Sequence, residues 1–100
     1  MNIHYEYHEV SGSQRLESLL AEKLEKLEHK YDFITSADVY FKKGKTNSPE
    51  SDKICSVRLS IPGPTLFAES SAPTFEASIA KVVTELRSQL QKRKEKLKSH

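Results

Sequence analysis

The chain has 100 residues, of which 36% are hydrophobic and 30% are charged, and this composition fits one small domain, 1–100, with a modest core. Its net charge is +2, but residues 1–32 carry four Lys/Arg and seven acids, residues 33–80 carry five of each, and residues 81–100 carry seven and two. No apolar run is long enough to span a membrane, and the single cysteine, Cys55, excludes an internal disulfide. We therefore expect a cytoplasmic protein whose basic carboxyl-terminal part is steered toward phosphate.

The first third of the chain predicts a strand followed by a helix. Residues 2–8 alternate, with Ile3, Tyr5 and Tyr7 on one side, which is the pattern of a half-buried strand. Ser11 and Gln14 fit a capping box, so we expect the helix to start there. Its apolar positions repeat at helical spacing: Leu16, Leu19, Leu20, Leu24, Leu27 and Tyr31.

Three further strands are predicted in the middle of the chain, the second of them at 53–61, after a polar loop at 43–52. The turn Pro62-Gly63-Pro64 indicates a hairpin to the last strand. Inward-facing positions are Val39, Phe41, Cys55, Val57, Leu59, Ile61, Leu66 and Ala68. Tyr40 and Phe67 point outward, where a base or a partner protein can cover them.

Residues 74–97 predict a long helix, with Pro73 suited to its start. Its apolar stripe consists of Phe75, Ile79, Val82, Val83, Leu86 and Leu90. Beyond Leu90 the charge lies all round the helix, so little of that end can be buried. At about 1.5 Å per residue the helix reaches roughly 36 Å, so we expect its basic end to overhang the sheet and to fray.

The order of elements is therefore β-α-β-β-β-α, which predicts an α+β fold. Each helix has one apolar stripe and each strand one apolar side, so we expect two layers, with a four-stranded mixed sheet and two helices on one face. The first two strands are joined by a helix and should run parallel, whereas the last three form an antiparallel meander.

No catalytic constellation stands out in the sequence. The four histidines are scattered, and no nucleophile elbow, phosphate-cradling glycine loop or set of metal ligands accompanies them. Cys55 fits a small apolar residue on a strand. We expect no enzyme activity, cofactor, metal or small-molecule substrate.

The bases near the carboxyl terminus have two interpretations. Arg87, Lys94 and Lys98 are spaced by seven and four, so they fall on one face of the final helix, where a row of cations can follow a phosphate backbone. Only Glu85 and Glu95 lie among these bases. The other interpretation is a solvated helix end.

Three segments together resemble one known family: Lys23-Leu24-Glu25-Lys26-Leu27-Glu28, Ala68-Glu69 after the proline turn, and Gln89-Leu90-Gln91-Lys92-Arg93-Lys94-Glu95-Lys96-Leu97-Lys98. With the element order, they are similar to the ribosome hibernation-promoting factor and ribosome-associated inhibitor family over nearly the whole chain. The resemblance implies a non-enzymatic factor that binds the small ribosomal subunit in the channel used by messenger and transfer RNA. It also implies that the factor holds ribosomes inactive in stress or stationary phase. Long members add a carboxyl-terminal domain, so the chain resembles the short form.

In that family basic residues of both helices face 16S-type ribosomal RNA. The matching positions are Lys23, Lys26, Lys92 and Lys94. Arg87 is a looser match, because the family's usual base falls where this chain has Ser88, and Ala80 replaces a frequent acid. Lys42 joins the predicted RNA-binding set from its charge and its position beside the polar loop. The alternatives are a protein-interaction module and a general RNA-binding domain.

Overall fold

The computed structural model of the chain describes residues 1–44 and 51–98, the last two of them by their backbone only. The strands are β1 (Asn2–His8), β2 (Ser36–Lys43), β3 (Lys53–Ser60) and β4 (Leu66–Ala72), and the helices are α1 (Gln14–Lys30) and α2 (Phe75–Lys98). This is the predicted order β-α-β-β-β-α. The predicted polar loop falls mainly on residues 45–50, which lie outside the described residues.

The strands form a single sheet in the order β1-β2-β3-β4. β1 runs parallel to β2, with Tyr5 opposite Val39, whereas β2, β3 and β4 pair antiparallel. In the β3–β4 hairpin Leu59 lies opposite Leu66, and Gly63 in the turn has a φ of 99°, a value that favours glycine. The predicted mixed sheet and its meander are confirmed.

Both helices pack on one face of the sheet, and the core lies between the two layers. Most of the predicted inward positions lie there. The core also includes Ile34 and Ala37, which were not predicted. The predicted positions Ile3, Tyr5, Tyr7, Leu19, Leu66 and Phe75 are only partly buried and pack against the core. The buried core consists of Leu16, Leu20, Leu24, Leu27, Tyr31, Ile34, Ala37, Val39, Phe41, Cys55, Val57, Leu59, Ile61, Ala68, Ile79, Val82, Val83, Leu86 and Leu90. Burial raises the pKa of the Cys55 thiol to about 12, so this sulfur stays protonated and packs as an apolar group.

Helix α1 begins later than predicted. Its cap is Ser13, whose extended backbone allows Oγ to accept a hydrogen bond from the amide of Leu16 at 3.2 Å. The predicted capping box of Ser11 and Gln14 is therefore wrong. Tyr7 selects the cap, because its hydroxyl accepts a hydrogen bond from the amide of Ser13 and lies 3.2 Å from the Ser13 carbonyl.

The start of α2 also differs from the prediction. Ser70, Ser71 and Ala72 belong to β4 rather than to a connection, since β4 pairs with β3 as far as Ala72. Thr74 caps the helix, with Oγ1 accepting from the amide of Ala77 at 3.1 Å, so Pro73 precedes the cap and does not occupy the first helical position. The helix continues to Lys98. The fraying of its basic end stays a prediction.

Side chains of α2 cover the outer edge of β4. Lys81 Nζ donates a hydrogen bond to the carbonyl of Ser71 at 3.2 Å, and Gln89 Nε2 donates to the carbonyl of Phe67 at 2.9 Å. Residues 67, 69 and 71 are alternate residues of the strand, so their carbonyls all point away from β3, toward the open edge of the sheet. Two of the three edge carbonyls therefore already have donors.

Candidate nucleic-acid interface

The two helices run parallel and side by side, which brings their basic residues into one layer. Near their amino ends Arg15 Nη1 lies 2.7 Å from Glu76 Oε2, and at the carboxyl end of α1 the Tyr31 hydroxyl donates to Gln91 Oε1 of α2 at 2.9 Å. The separation in sequence is 61 residues at the first contact and 60 at the second. The nearly equal offset keeps the two helices in register, so the basic half of α2 starts level with the end of α1.

Lys94 is the predicted site residue whose position is best defined. It is half-buried, and its Nζ lies 5.7 Å from the centroid of the Tyr31 ring, while Lys30 Nζ lies 5.6 Å from the same ring. Tyr31 itself is 1% exposed, so its ring is a fixed platform for both cations. The structure thereby adds Lys30 to the cations near the end of α2. No local pattern in the sequence indicates this, because Lys30 comes close to α2 only through the packing of Tyr31 against Lys94, which lies 63 residues further along the chain.

The other predicted cations of the helical layer differ in how they are paired. Arg87 and Lys92 are exposed and Lys23 is half-buried, and none of the three has a carboxylate within 4.0 Å among the residues the structure describes. Lys26 is exposed and lies 3.8 Å from Glu22, one turn earlier. Such an exposed pair is worth less than about 1 kcal/mol, so Lys26 is only weakly neutralised.

Lys42 lies in the other layer. It alternates with the buried Phe41 in β2, so its side chain points to the face of the sheet that no helix covers. There its Nζ lies 3.5 Å from Glu69 Oε2, which also accepts a hydrogen bond from Ser56 at 2.5 Å. The structure therefore does not bring Lys42 together with the cations of the helices.

The uncovered face of the sheet carries the two most exposed large apolar side chains of the described chain, Tyr40 at 43% and Phe67 at 50%. Their outward orientation is as predicted. A hydrogen bond between Tyr40 and Glu6 lowers the pKa of that carboxyl and raises the pKa of the phenol. By contrast, Tyr5 and Tyr7 stack beside the buried Phe41 and bond to α1 through their hydroxyls, so they belong to the core side.

Arg93 was not among the predicted site residues. It lies against the β3–β4 turn, where a Cβ on Gly63 would stand 2.7 Å from Arg93 Nη2. A signal was present in the sequence, because position 93 continues the core stripe of Leu86 and Leu90 at spacings of four and three. A cation at a stripe position indicates a side chain that covers the end of the sheet rather than one that points to open solvent.

Residues 1–44 and 51–98 contain no group of three or more His, Cys, Asp or Glu side chains placed to hold a metal ion. Within the same residues, neither helix has a stretch apolar enough to cross a membrane. What the helical layer offers is a set of cations at defined positions, which suits the binding of a polyanion.

Residues 3–98 match the sequence model of the family described as Sigma 54 modulation protein / S30EA ribosomal protein. The chain belongs to this family. The match covers both helices and all four strands, and it confirms the resemblance to the ribosome hibernation and ribosome-associated inhibitor proteins. Membership indicates a ribosome-associated protein. No curated protein sequence matches the chain significantly.

Solved structures of similar proteins share the fold of this S30EA family member. A ribosomal subunit interface protein from Coxiella burnetii superposes with a TM-score of 0.80 at 24% identity, covering 94% of this chain and 98% of the other. The N-terminal domain of Thermus thermophilus Protein Y superposes with a TM-score of 0.77 at 18% identity, covering 92% and 98%. At these identities the likeness is one of fold.

Proposed function

We propose that this protein is a hibernation factor that binds the small ribosomal subunit in the channel for tRNA and mRNA and inhibits translation during stress. The observation that carries the proposal is the group of cations on the helical layer, Lys23, Arg87, Lys92 and Lys94, which have no carboxylate partner among the described residues. Family membership and the subunit interface protein of the same fold support a ribosomal partner. The protein then acts in the cytoplasm, where ribosomes are.

The proposed mechanism needs only charge and shape. Contacts between Lys or Arg and 16S-type rRNA phosphates release condensed counterions, so affinity should fall steeply with salt. The core and the contacts between α1 and α2 make the domain a rigid wedge, which excludes tRNA and mRNA by occupying their channel. No residue has to act as an acid, a base or a nucleophile, and no cofactor is required.

Within this proposal the six predicted residues have unequal roles. Lys23, Arg87, Lys92 and Lys94 contact rRNA directly, and Lys26 does so after giving up its weak pairing with Glu22. Lys42 contacts a second wall of the channel, since it lies on the opposite side of the sheet. Charge reversal at Lys42 should therefore weaken binding less than charge reversal at Lys92, because Glu69 already neutralises part of the Lys42 charge.

The test is co-sedimentation with small subunits on sucrose gradients. We expect the double variant Lys92→Glu/Lys94→Glu to be lost from the small-subunit fraction, whereas the matched control Lys43→Glu/Lys81→Glu, with the same change in net charge, should stay there. Both control positions are exposed, and neither is a proposed contact. Thermal unfolding of each variant checks that the fold is intact. Unchanged sedimentation of Lys92→Glu/Lys94→Glu would rule out this assignment.

A second candidate function, a protein-interaction module, is favoured by the exposed Tyr40 and Phe67 on the uncovered sheet face. In that case Tyr40→Ser/Phe67→Ser should abolish the complex and added salt should leave it intact, whereas rRNA binding has the opposite dependence. A general RNA-binding domain would be displaced from ribosomes by unrelated duplex RNA, and the proposed factor would not.

A further inference from the structure

The contact between Arg93 and Gly63 holds a guanidinium group in a fixed place. Gly63 has a positive φ of 99° and lacks the Cβ that would stand 2.7 Å from Arg93 Nη2, so the guanidinium lies directly on the turn between β3 and β4. Arg93 and the following Lys94 are both half-buried, whereas Lys92 before them and Glu95 after them are exposed. The turn and the helix together therefore restrict where this charge can be.

The held guanidinium has no partner within the described part of the chain. Arg93 Nε is shielded from solvent and makes no hydrogen bond, and the ion pairs of the described residues do not include Arg93. A guanidinium has only N–H donors, so it can be satisfied only by groups that accept hydrogen bonds. Leaving a buried donor unpaired costs free energy, and most such groups in folded proteins find a partner. An anion in the depression beside the turn would provide the guanidinium with a counter-charge.

The surroundings of Arg93 define which anion fits. A shallow depression beside the turn is lined by Pro64, Leu66, Gln89, Lys92, Arg93 and Lys96. Three of these six side chains are cations and none is an acid, whereas Pro64 and Leu66 provide an apolar surface next to them. A guanidinium fork that shares a depression with two lysine side chains suits the oxygens of a phosphate, and the apolar surface suits a sugar or the edge of a base.

We propose that this depression binds one phosphate of an RNA strand, with Arg93 as the central contact, Lys92 and Lys96 beside it, and the adjoining nucleoside against Pro64 and Leu66. The inference rests on the proposed function and deepens it, because it names a contact on the sheet-turn side of α2, away from Lys94 and Tyr31. An acidic protein segment is the competing occupant. RNA is favoured because the site combines three cations with an apolar surface, formed by Pro64 and Leu66, that a nucleoside can contact.

The first test observes Arg93 directly. The Nε–H group of Arg93 gives its own signal in a nitrogen–proton NMR spectrum of labelled protein. Titration with adenosine 5′-monophosphate should shift this signal and the amide signals of Gly63 and Leu66, whereas adenosine alone and sodium chloride at matched ionic strength should not. Absence of a shift with the nucleotide overturns the site, and so does an equal shift with sodium chloride or a shift only with a poly-glutamate peptide.

The second test uses the variant Arg93→Gln, with Lys81→Gln as the matched control on the same helix. In Arg93→Gln the nucleotide shifts at Gly63 and Leu66 should disappear. Its affinity for small subunits should fall about tenfold, the usual effect of losing one charge-assisted hydrogen bond. The salt dependence should flatten by about 0.7 to 0.9 in log–log slope. Lys81→Gln should match the unaltered protein.

The outcomes separate this site from the proposed function. If Lys92→Glu/Lys94→Glu leaves the small-subunit fraction but Arg93→Gln keeps the full affinity and salt slope, the proposed function stands and the Arg93 site is wrong. If both variants bind as the unaltered protein does, both proposals are wrong. Because Gly63→Ala combines backbone strain with displacement of Arg93, it serves only as a third variant and only if its thermal unfolding is cooperative.

Discussion

The Tyr31 hydroxyl donates a hydrogen bond of 2.9 Å to Gln91 Oε1, and this contact fastens the end of α1 to the start of the basic half of α2. The same tyrosine ring lies under Lys94, so one buried residue both joins the helices and positions a cation of the proposed interface. The stability of the helical layer and the placement of its charge are therefore linked.

Tyr31→Phe should separate these two roles. The substitution keeps the ring under Lys94 but removes the hydrogen bond, so we expect the free energy of unfolding to fall by about 1 kcal/mol. Gln91→Ala should cost a similar amount, and the double variant Tyr31→Phe/Gln91→Ala should cost less than the sum, as expected for two partners in one interaction. Urea unfolding of the four proteins measures the coupling. Strict additivity would contradict the predicted interaction.

A second prediction concerns Ser78, a fully buried polar residue whose hydroxyl donates to the carbonyl of Lys53. Ser78→Ala should lower the free energy of unfolding by about 1 kcal/mol, because it removes a hydrogen bond in the core between α2 and β3. Ser88→Ala is the control, since Ser88 lies on the same helix but is exposed, and both substitutions gain the same helix propensity. We expect Ser88→Ala to stay within about 0.5 kcal/mol of the unaltered protein.

The third prediction is a loss of stability at alkaline pH through Tyr5. Burial, and secondly the charge of Glu17, raise the pKa of the Tyr5 phenol from 10.0 to about 12. In this pH range the unfolded chain releases a proton that the folded chain retains, so the contribution of Tyr5 to stability is complete below the unfolded value and is lost as pH rises through the folded one. Chemical unfolding at a series of alkaline pH values should show a shallower decline for Tyr5→Phe. An identical decline in both proteins would contradict the prediction.

The fourth prediction tests whether Glu22 restrains Lys26. Glu22→Gln removes the carboxylate 3.8 Å from Lys26 Nζ, so affinity for small subunits should rise, by up to about fivefold, since an exposed pair is worth at most about 1 kcal/mol. Glu25→Gln is the control, because it makes the same change in net charge about one helical turn from Glu22. Glu25 has no lysine or arginine within 4.0 Å among the described residues. An equal gain in both variants would attribute the effect to net charge alone.

The sequence predicts the architecture well because its signals are local. Neighbouring residues alone reveal the alternation in β2, where Val39 and Phe41 flank Tyr40. The same holds for the apolar stripe from Ile79 to Leu90 in α2. The start of α1 was missed because it depends on a long-range contact. Ser11 and Ser13 are both suitable caps by type, and the hydroxyl of Tyr7, which belongs to another element, selects Ser13.

In the candidate interface, too, local features could be predicted from the sequence and long-range contacts could not. Helical spacing places Arg87, Lys92 and Lys94 on α2, but their surroundings depend on which elements meet there. The ring of Tyr31 under Lys94 and the turn at Gly63 under Arg93 are brought in from positions 63 and 30 residues away, respectively, by the tertiary fold. Lys42 shows the converse, because its alternation with Phe41 already placed it on the opposite side of the sheet from the helices.

The hydrogen bonds that Lys81 and Gln89 donate to the edge of β4 affect whether copies of this domain associate at high concentration. An open strand edge is a template for a neighbouring chain, and copies that meet often would polymerise along it. Here an incoming strand must first displace the side chains of Lys81 and Gln89, which already donate hydrogen bonds to two carbonyls of β4. Pairing between copies through the β4 edge is therefore disfavoured, even where the domain is concentrated.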